Sequence, residues 1–122
     1  MILRFYIMPQ MINLGSELLR FNQPKNTIEC SKNGGRSWVT RYSSDQCGIF
    51  RDLLVFGNEI IACTSKGLYY SGNQGRSWVI RCTNGSSYGE FLNLQEDGGT
   101  LYANTSKGLY YSRNGGRGWV RR

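Results

Sequence analysis

The sequence predicts an all-β fold built from three similar units, and three observations lead to this prediction. A motif of the form Ser-x-Asn-x-Gly-x-x-Trp occurs at 31–38, 71–78 and 112–119, and we call each copy a box. The box tryptophans Trp38, Trp78 and Trp119 recur at about the length of a propeller blade. No segment has helical periodicity. We therefore expect a β-propeller segment of three four-stranded blades.

The blades are expected at about 7–45, 46–87 and 88–122 within a single domain, with 1–6 as a leading strand or a strap. The second and third units agree best, because "TSKGLYYS" is identical at 64–71 and 105–112. The first unit aligns only when two residues are inserted near 23–25. Its outer half matches the other units in sequence, whereas its inner half matches them only in the pattern of residue types.

Four short strands are predicted in each unit, because β-branched and aromatic runs alternate with turn pairs such as Gly57-Asn58 and Lys66-Gly67. In the second unit they are expected at 49–57, 59–65, 67–71 and 76–82. In the third they are expected at 89–97, 100–106, 108–112 and 117–122. The box tryptophan is expected to start the fourth strand.

The boxes are predicted to be structural turns. Asn and Gly tolerate a positive φ, and the Asn side chain can accept hydrogen bonds from the backbone of its own turn. A phosphate loop would lead into a helix, and a calcium loop would need several carboxylates, so we expect neither a cofactor nor a metal. Burial of each tryptophan is worth about 2–3 kcal/mol. The structural residues of the boxes are Ser31, Asn33, Gly35 and Trp38; Ser71, Asn73, Gly75 and Trp78; and Ser112, Asn114, Gly116 and Trp119.

The box resembles the Asp-box, or BNR repeat, of sialidases, sortilin-type receptors and photosystem II assembly factors. All three copies have Asn where that family has Asp, and the third has Gly118 where the family has Ser or Thr. The resemblance implies a propeller fold. It also implies a structural role for the box, because Asp-boxes lie away from the sialidase catalytic centre.

Three blades do not close a ring, since propellers have about four to eight. We expect a head-to-tail homodimer that completes a six-bladed ring. The alternative is that the chain is a piece of a longer propeller. Both alternatives predict that an isolated monomer is unstable.

The charge balance favours acidic partners, since 15 Lys and Arg stand against 8 Asp and Glu, a net charge of +7. Part of the excess recurs beside each tryptophan, where the simplest interpretation is a solvated rim. The double tyrosines send one ring to each face of their strand. The partner-contact candidates are Arg36, Arg76 and Arg117 before the tryptophans, Arg41, Arg81 and Arg122 after them, and Tyr69 and Tyr110.

An enzyme is not expected. The chain has no His, which excludes a Ser–His or Cys–His nucleophile. Paired carboxylates are not evident, and only Asp52, Glu90 and Glu96 are candidates near a central channel. Sialidase chemistry uses an Arg triad, a Tyr activated by Glu and an Asp acid, drawn from a much longer chain.

The cysteines Cys30, Cys47, Cys63 and Cys82 show no metal-type spacing, and we expect free thiols more than a disulfide framework. The N-terminus makes a poor signal peptide, and no run of about 18 apolar residues exists to span a membrane. The expected compartment is the cytoplasm, with no membrane partner.

The function expected from these features is a non-catalytic binding module that acts through protein–protein interaction. One version masks a partner such as a toxin, as immunity proteins do. The alternative is a lectin-like propeller for sialylated or acidic sugars, and a sialidase-like glycosidase fragment is the second alternative. Nucleic acid is not expected, because no DNA- or RNA-binding motif is present.

Overall fold

The computed structural model describes residues 11–83 and 87–122, which form three four-stranded antiparallel sheets and no helix. The predicted all-β fold is confirmed. Strands follow one another across each sheet in sequence order, so each sheet is a meander. In these ranges no helix is long and apolar enough to cross a membrane. The predicted leading segment 1–6 lies outside the described residues.

Each sheet is one blade. Blade 1 contains β1 Ile12–Asn13, β2 Leu18–Asn22, β3 Thr27–Ser31 and β4 Val39–Tyr42. Blade 2 contains β5 Phe50–Phe56, β6 Glu59–Thr64, β7 Gly67–Ser71 and β8 Val79–Thr83. Blade 3 contains β9 Phe91–Asp97, β10 Thr100–Thr105, β11 Gly108–Ser112 and β12 Val120–Arg121.

The fourth strand begins later than predicted. It starts at Val39, Val79 and Val120, one residue after each tryptophan, instead of at 76 or 117. The reason is that the tryptophan still belongs to the box. The indole Nε1 of Trp78 donates a hydrogen bond to the carbonyl of Gly75 at 3.1 Å, which turns the ring back over the turn before the strand starts.

The blades pack face to face through alternating side chains. In β6, Ile60 and Ala62 point into the cluster shared with blade 1, whereas Ile61 and Cys63 point into the cluster shared with blade 3. This is the two-residue period of a strand buried on both faces. The first strands β5 and β9 contact each other, so the blades converge at their inner strands.

Aromatic rings repeat at both blade interfaces. Phe50 and Trp78 meet with ring centroids 5.6 Å apart, and Phe91 and Trp119 meet at 5.4 Å. Each pair joins the innermost strand of a blade to its own box, which ties the box to the core.

The outer face of blade 3 is polar where the matching face of blade 2 is apolar. Asn104 holds the position of Cys63, and its Nδ2 donates to Asn93 Oδ1 at 2.8 Å. Leu68 is 0% exposed against blade 3, but its counterpart Leu109 is 39% exposed. At three other equivalent positions an apolar residue of blade 2 is matched by a more polar residue of blade 3. These pairs are Leu54 and Gln95, Phe56 and Asp97, and Ile61 and Tyr102.

All four cysteines are free thiols in the structure. Cys30, Cys47 and Cys63 are buried, and Cys82 is partly buried. Burial raises the pKa of the Cys63 thiol well above its ordinary value, so this group stays protonated.

Candidate functional site

The hydrogen bonds within each box are local to it. In the second box, Ser71 Oγ donates to Asn73 Oδ1 at 2.8 Å and accepts the Gly75 N–H at 2.8 Å. Asn73 Oδ1 also accepts the Ser77 N–H at 3.0 Å, and its Nδ2 donates to Ser77 Oγ at 2.8 Å. The side chains of Ser and Asn therefore satisfy backbone groups that the turn leaves unpaired.

The first and third boxes repeat this pattern with one difference. Asn33 Oδ1 and Nδ2 bond Ser37 as in the second box, at 2.9 and 2.8 Å. In the third box, Asn114 Oδ1 accepts the Gly118 N–H at 2.9 Å, but Gly118 brings no hydroxyl to the Asn amide. The Asn Oδ1 therefore accepts a backbone N–H in all three boxes. The Asn Nδ2 donates to a serine hydroxyl in the first and second boxes.

Two of the arginines that follow the tryptophans join neighbouring blades, and we call Arg41 and Arg81 the joining arginines. Arg41 contacts both carboxylate oxygens of Glu17 at 2.8 and 2.9 Å and donates to the carbonyl of Gln74 in the next box at 3.2 Å. Arg81 contacts Glu59 at 2.6 and 2.9 Å and donates to the Gly115 carbonyl of the third box at 3.1 Å.

The joining arginines differ from the solvated rim expected at these positions. Their side chains are only 8% and 2% exposed, because each lies between a glutamate of its own blade and the next box. The hydrogen bonds from Arg41 lower the pKa of Glu17 from 4.5 to about 2. Those from Arg81 lower the pKa of Glu59 as well. Both pairs are therefore charged at neutral pH.

Arg122 occupies the same repeat position at the end of blade 3, but among the described residues it has neither a glutamate partner nor a box carbonyl to bind. Thr100 stands where the other blades have glutamate. The Arg122 guanidinium lies 5.8 Å from the Tyr102 ring centroid. It lines an outer groove that also contains Glu96 and Asp97.

The arginines that precede the tryptophans, Arg36, Arg76 and Arg117, are exposed, and we call them the box arginines. Arg76 donates to the Asn73 carbonyl at 3.2 Å and to Gln74 Oε1 at 2.9 Å. Arg117 donates to the Asn114 carbonyl at 3.0 Å. The guanidinium groups of the second and third boxes are thus held against their own turns.

The three box arginines form a row along one side of the molecule. Each blade is a four-stranded meander, so the connection between its third and fourth strands lies at the same end in all three blades. The joining arginines also link successive blades to successive boxes. The row therefore runs across all three blades in order.

The tyrosine pairs place their first members between blades. Tyr110 is 5% exposed, and its hydroxyl donates to the Ser87 carbonyl at 2.8 Å. Tyr69 packs against the cluster between blades 1 and 2. This differs from an exposed contact role, because the strand register turns these rings toward the preceding blade. Tyr70 and Tyr111 face the other way, beneath Arg81 and Arg113.

The three carboxylates considered near a channel all have structural partners. Asp52 is buried, and its oxygens accept the N–H groups of Leu53 at 3.0 Å and Leu94 at 2.9 Å. Glu90 pairs with Arg51 at 2.7 Å, and Glu96 accepts the N–H of Gly99 in a turn at 2.9 Å. Within 11–83 and 87–122, no three His, Cys, Asp or Glu side chains are grouped to hold a metal.

Glu17 and Glu59, the partners of the joining arginines, were missed by the reasoning from sequence. The available signal is that each follows a hairpin glycine by two residues, at Gly15 and Gly57. From sequence alone, Asp52 is only a candidate for a place near a central channel. Its bond to the inner strand of blade 3 requires knowledge of how two blades pack.

Comparisons with known proteins identify the architecture. Neither a protein-family model nor a characterised protein matches the chain in sequence. Solved structures do match it. One is YCF48 bound to D1 peptide, with a TM-score of 0.66 and 19% identity over 95% of this chain and 41% of that chain.

The fold is that of a β-propeller segment. YCF48 from Cyanidioschyzon merolae matches with a TM-score of 0.63 and 21% identity, over 87% of this chain and 37% of that chain. The GH74 enzyme of Niastella koreensis matches with a TM-score of 0.57 and 20% identity, over 88% of this chain and 16% of that chain. The chain therefore spans less than half the length of each of these proteins.

Proposed function

We propose that the chain is a non-catalytic propeller segment that binds an acidic stretch of a partner protein along the row of box arginines. The observation that carries this proposal is the contrast between two sets of arginines. The joining arginines are buried and neutralised by glutamates, whereas Arg36, Arg76 and Arg117 are exposed at the same end of all three blades.

The box arginines keep their charge available to a partner. In the described part of the chain, the ion pairs are formed by Arg20, Arg41, Arg51 and Arg81, and the box arginines take part in none of them. Bonds to their own turns restrict two of these side chains before any partner arrives. Such preorganisation lowers the entropy lost on binding, and a guanidinium suits a planar carboxylate.

A protein partner has further support from the fold neighbours. YCF48, which shares the propeller fold, is known with a bound D1 peptide. The GH74 neighbour is an enzyme, but the carboxylates that would have to act as acid and base here are held in structural bonds. Paired carboxylates of a glycosidase must face the sugar. A binding role therefore has more support than a glycosidase fragment.

Masking of a toxin is one form that this function can take, because a positive row suits an acidic partner surface. The lectin alternative has less support. The outer groove that contains Tyr102 and Arg122 also contains Glu96 and Asp97, whose charges disfavour sialylated or acidic sugars. A cytoplasmic location fits the free thiols and stays part of the proposal.

The test uses a short fluorescein-labelled peptide of alternating glutamate and glycine, followed by fluorescence anisotropy. Replacing Arg36, Arg76 and Arg117 with Gln should weaken binding about tenfold or more. The matched control replaces Lys25, Lys66 and Lys107 with Gln, which removes equal charge from the turns at the opposite end of the blades. This control should change the affinity by less than about threefold.

Equal losses in both triple variants would mean that binding follows net charge alone, and the row would then have no special role. A single-stranded oligonucleotide serves as the competing probe. If it bound more tightly than the peptide and lost affinity steeply with salt, the partner would be a nucleic acid and the proposal would fail.

A further inference from the structure

A groove in blade 1 lies where the other two blades carry a tyrosine ring. It has a volume of about 290 Å³ and is lined by Cys30, Lys32, Val39 and Arg41, among others. Cys30 is buried at its floor, while Val39 and Lys32 are exposed at its rim. The groove borders the first box, but none of the box arginines lines it.

The repeat shows which side chain is missing from this groove. Cys30 pairs across the sheet with Val39, Tyr70 pairs with Val79, and Tyr111 pairs with Val120. These three pairs occupy one position of the repeat. Only the first blade has a small thiol in place of a phenol ring.

The arginine beside this position is held in the same way in blades 1 and 2. Arg41 and Arg81 each grip a glutamate through two nitrogens and reach a carbonyl of the next box. In blade 2 the Arg81 guanidinium carbon lies 4.0 Å from the centroid of the Tyr70 ring. In blade 1 Arg41 lines the groove, and Cys30 brings no ring to it.

We infer that the groove is a binding site for a tyrosine side chain supplied by another protein. Blade 2 shows the expected arrangement of such a tyrosine, since Tyr70 lies under the Arg81 guanidinium and pairs with Val79 across the sheet. A tyrosine entering blade 1 would stack on Arg41 and pack against Val39. Lys32 at the rim adds a positive charge, which favours a tyrosine with acidic neighbours. The inference does not depend on the box arginines.

The probe is N-acetyl-L-tyrosinamide, titrated into the ¹⁵N-labelled full chain and followed by NMR. Saturable shifts are expected for the amides of Val39 and Thr40 and for the Arg41 Nε–H. N-acetyl-L-leucinamide should bind at least about fivefold more weakly, because it offers no π face to the guanidinium. Equal binding of the two probes would overturn the inference.

Variants at Cys30 test the site from the protein side. Cys30→Ser keeps the groove open and should change the affinity by less than about twofold. Cys30→Tyr should fill the groove as Tyr70 fills it in blade 2, raise the thermal midpoint and abolish the shifts. Cys30→Phe is the second filling variant, in case the first does not fold. Unchanged shifts in a folded filling variant, or shifts confined to blades 2 and 3, would refute the site.

Discussion

Replacement of Arg81 by Met tests the idea that the joining arginines hold the blades together. The change keeps most of the aliphatic stem but removes two contacts to Glu59, the hydrogen bond to Gly115 and the stack on Tyr70. Removing one partner of a fully buried pair costs about 3–5 kcal/mol. The Glu59 side chain is 30% exposed, so water can solvate part of its carboxylate once the arginine is gone. We therefore expect a loss of about 2–3 kcal/mol in the free energy of unfolding.

The assay is equilibrium urea unfolding followed by tryptophan fluorescence, with Arg122→Met as the matched control. Arg122 occupies the same repeat position, but Thr100 stands in place of the glutamate, so the loss of Arg122 should cost no more than about 0.5 kcal/mol. A loss below about 1 kcal/mol for Arg81→Met would refute the reasoning. Equal losses in the two variants would refute it too, because the cost would then follow from the arginine itself and not from its partners.

Three further predictions concern the turns, the box and the pH dependence of stability. Gly48→Ala and Gly57→Ala both place a Cβ at positive φ, which costs about 1–2 kcal/mol, but only Gly48 has neighbouring atoms in the way, so its thermal midpoint should fall further. Trp78→Ala should lower the free energy of unfolding in urea by about 3–5 kcal/mol. Trp38→Ala should lower it by less, because of these two rings only that of Trp78 packs against the cluster between blades 1 and 2. The folded-state pKa of Glu17 is about 2 against an ordinary 4.5, so the unfolded chain takes up a proton first and stability falls from about pH 4.5 toward 2. Unfolding of Glu17→Gln across that range should show a smaller fall.

The fold was predictable because the repeat supplies three aligned copies of the same evidence. A glycine marks the inner hairpin of every blade and the middle hairpin of blades 2 and 3, and β6 and β7 lie within a residue of their predicted bounds. The start of the fourth strand was not predictable from strand propensity. A tryptophan favours a strand in general, but here its indole N–H closes the box, so the strand starts only at the residue after the tryptophan.

The roles of single side chains were harder to predict, because they depend on register and on the neighbouring blade. Tyr69 and Tyr70 are chemically identical, and a shift of one residue would exchange their faces. The two arginines Arg81 and Arg122 occupy equivalent positions in the sequence. The Arg81 side chain is only 2% exposed because Glu59 lies opposite it, whereas Arg122 is exposed and has Thr100 in place of that glutamate.

The outer face of blade 3 bears on how the segment could be completed into a ring. A second copy packed head to tail, which stays a prediction, would cover Asn104 and Asp97 where blade 2 presents apolar side chains. Buried polar groups left without partners cost about 1–3 kcal/mol each. The face of blade 1 that would meet them contains Arg20 and Glu29 at positions that hold Ala62 and Tyr69 in blade 2. Polar groups therefore lie on both faces that would form the interface between two chains. A six-bladed ring would have to be joined there by charge pairs and hydrogen bonds, unlike the apolar interfaces between blades of one chain.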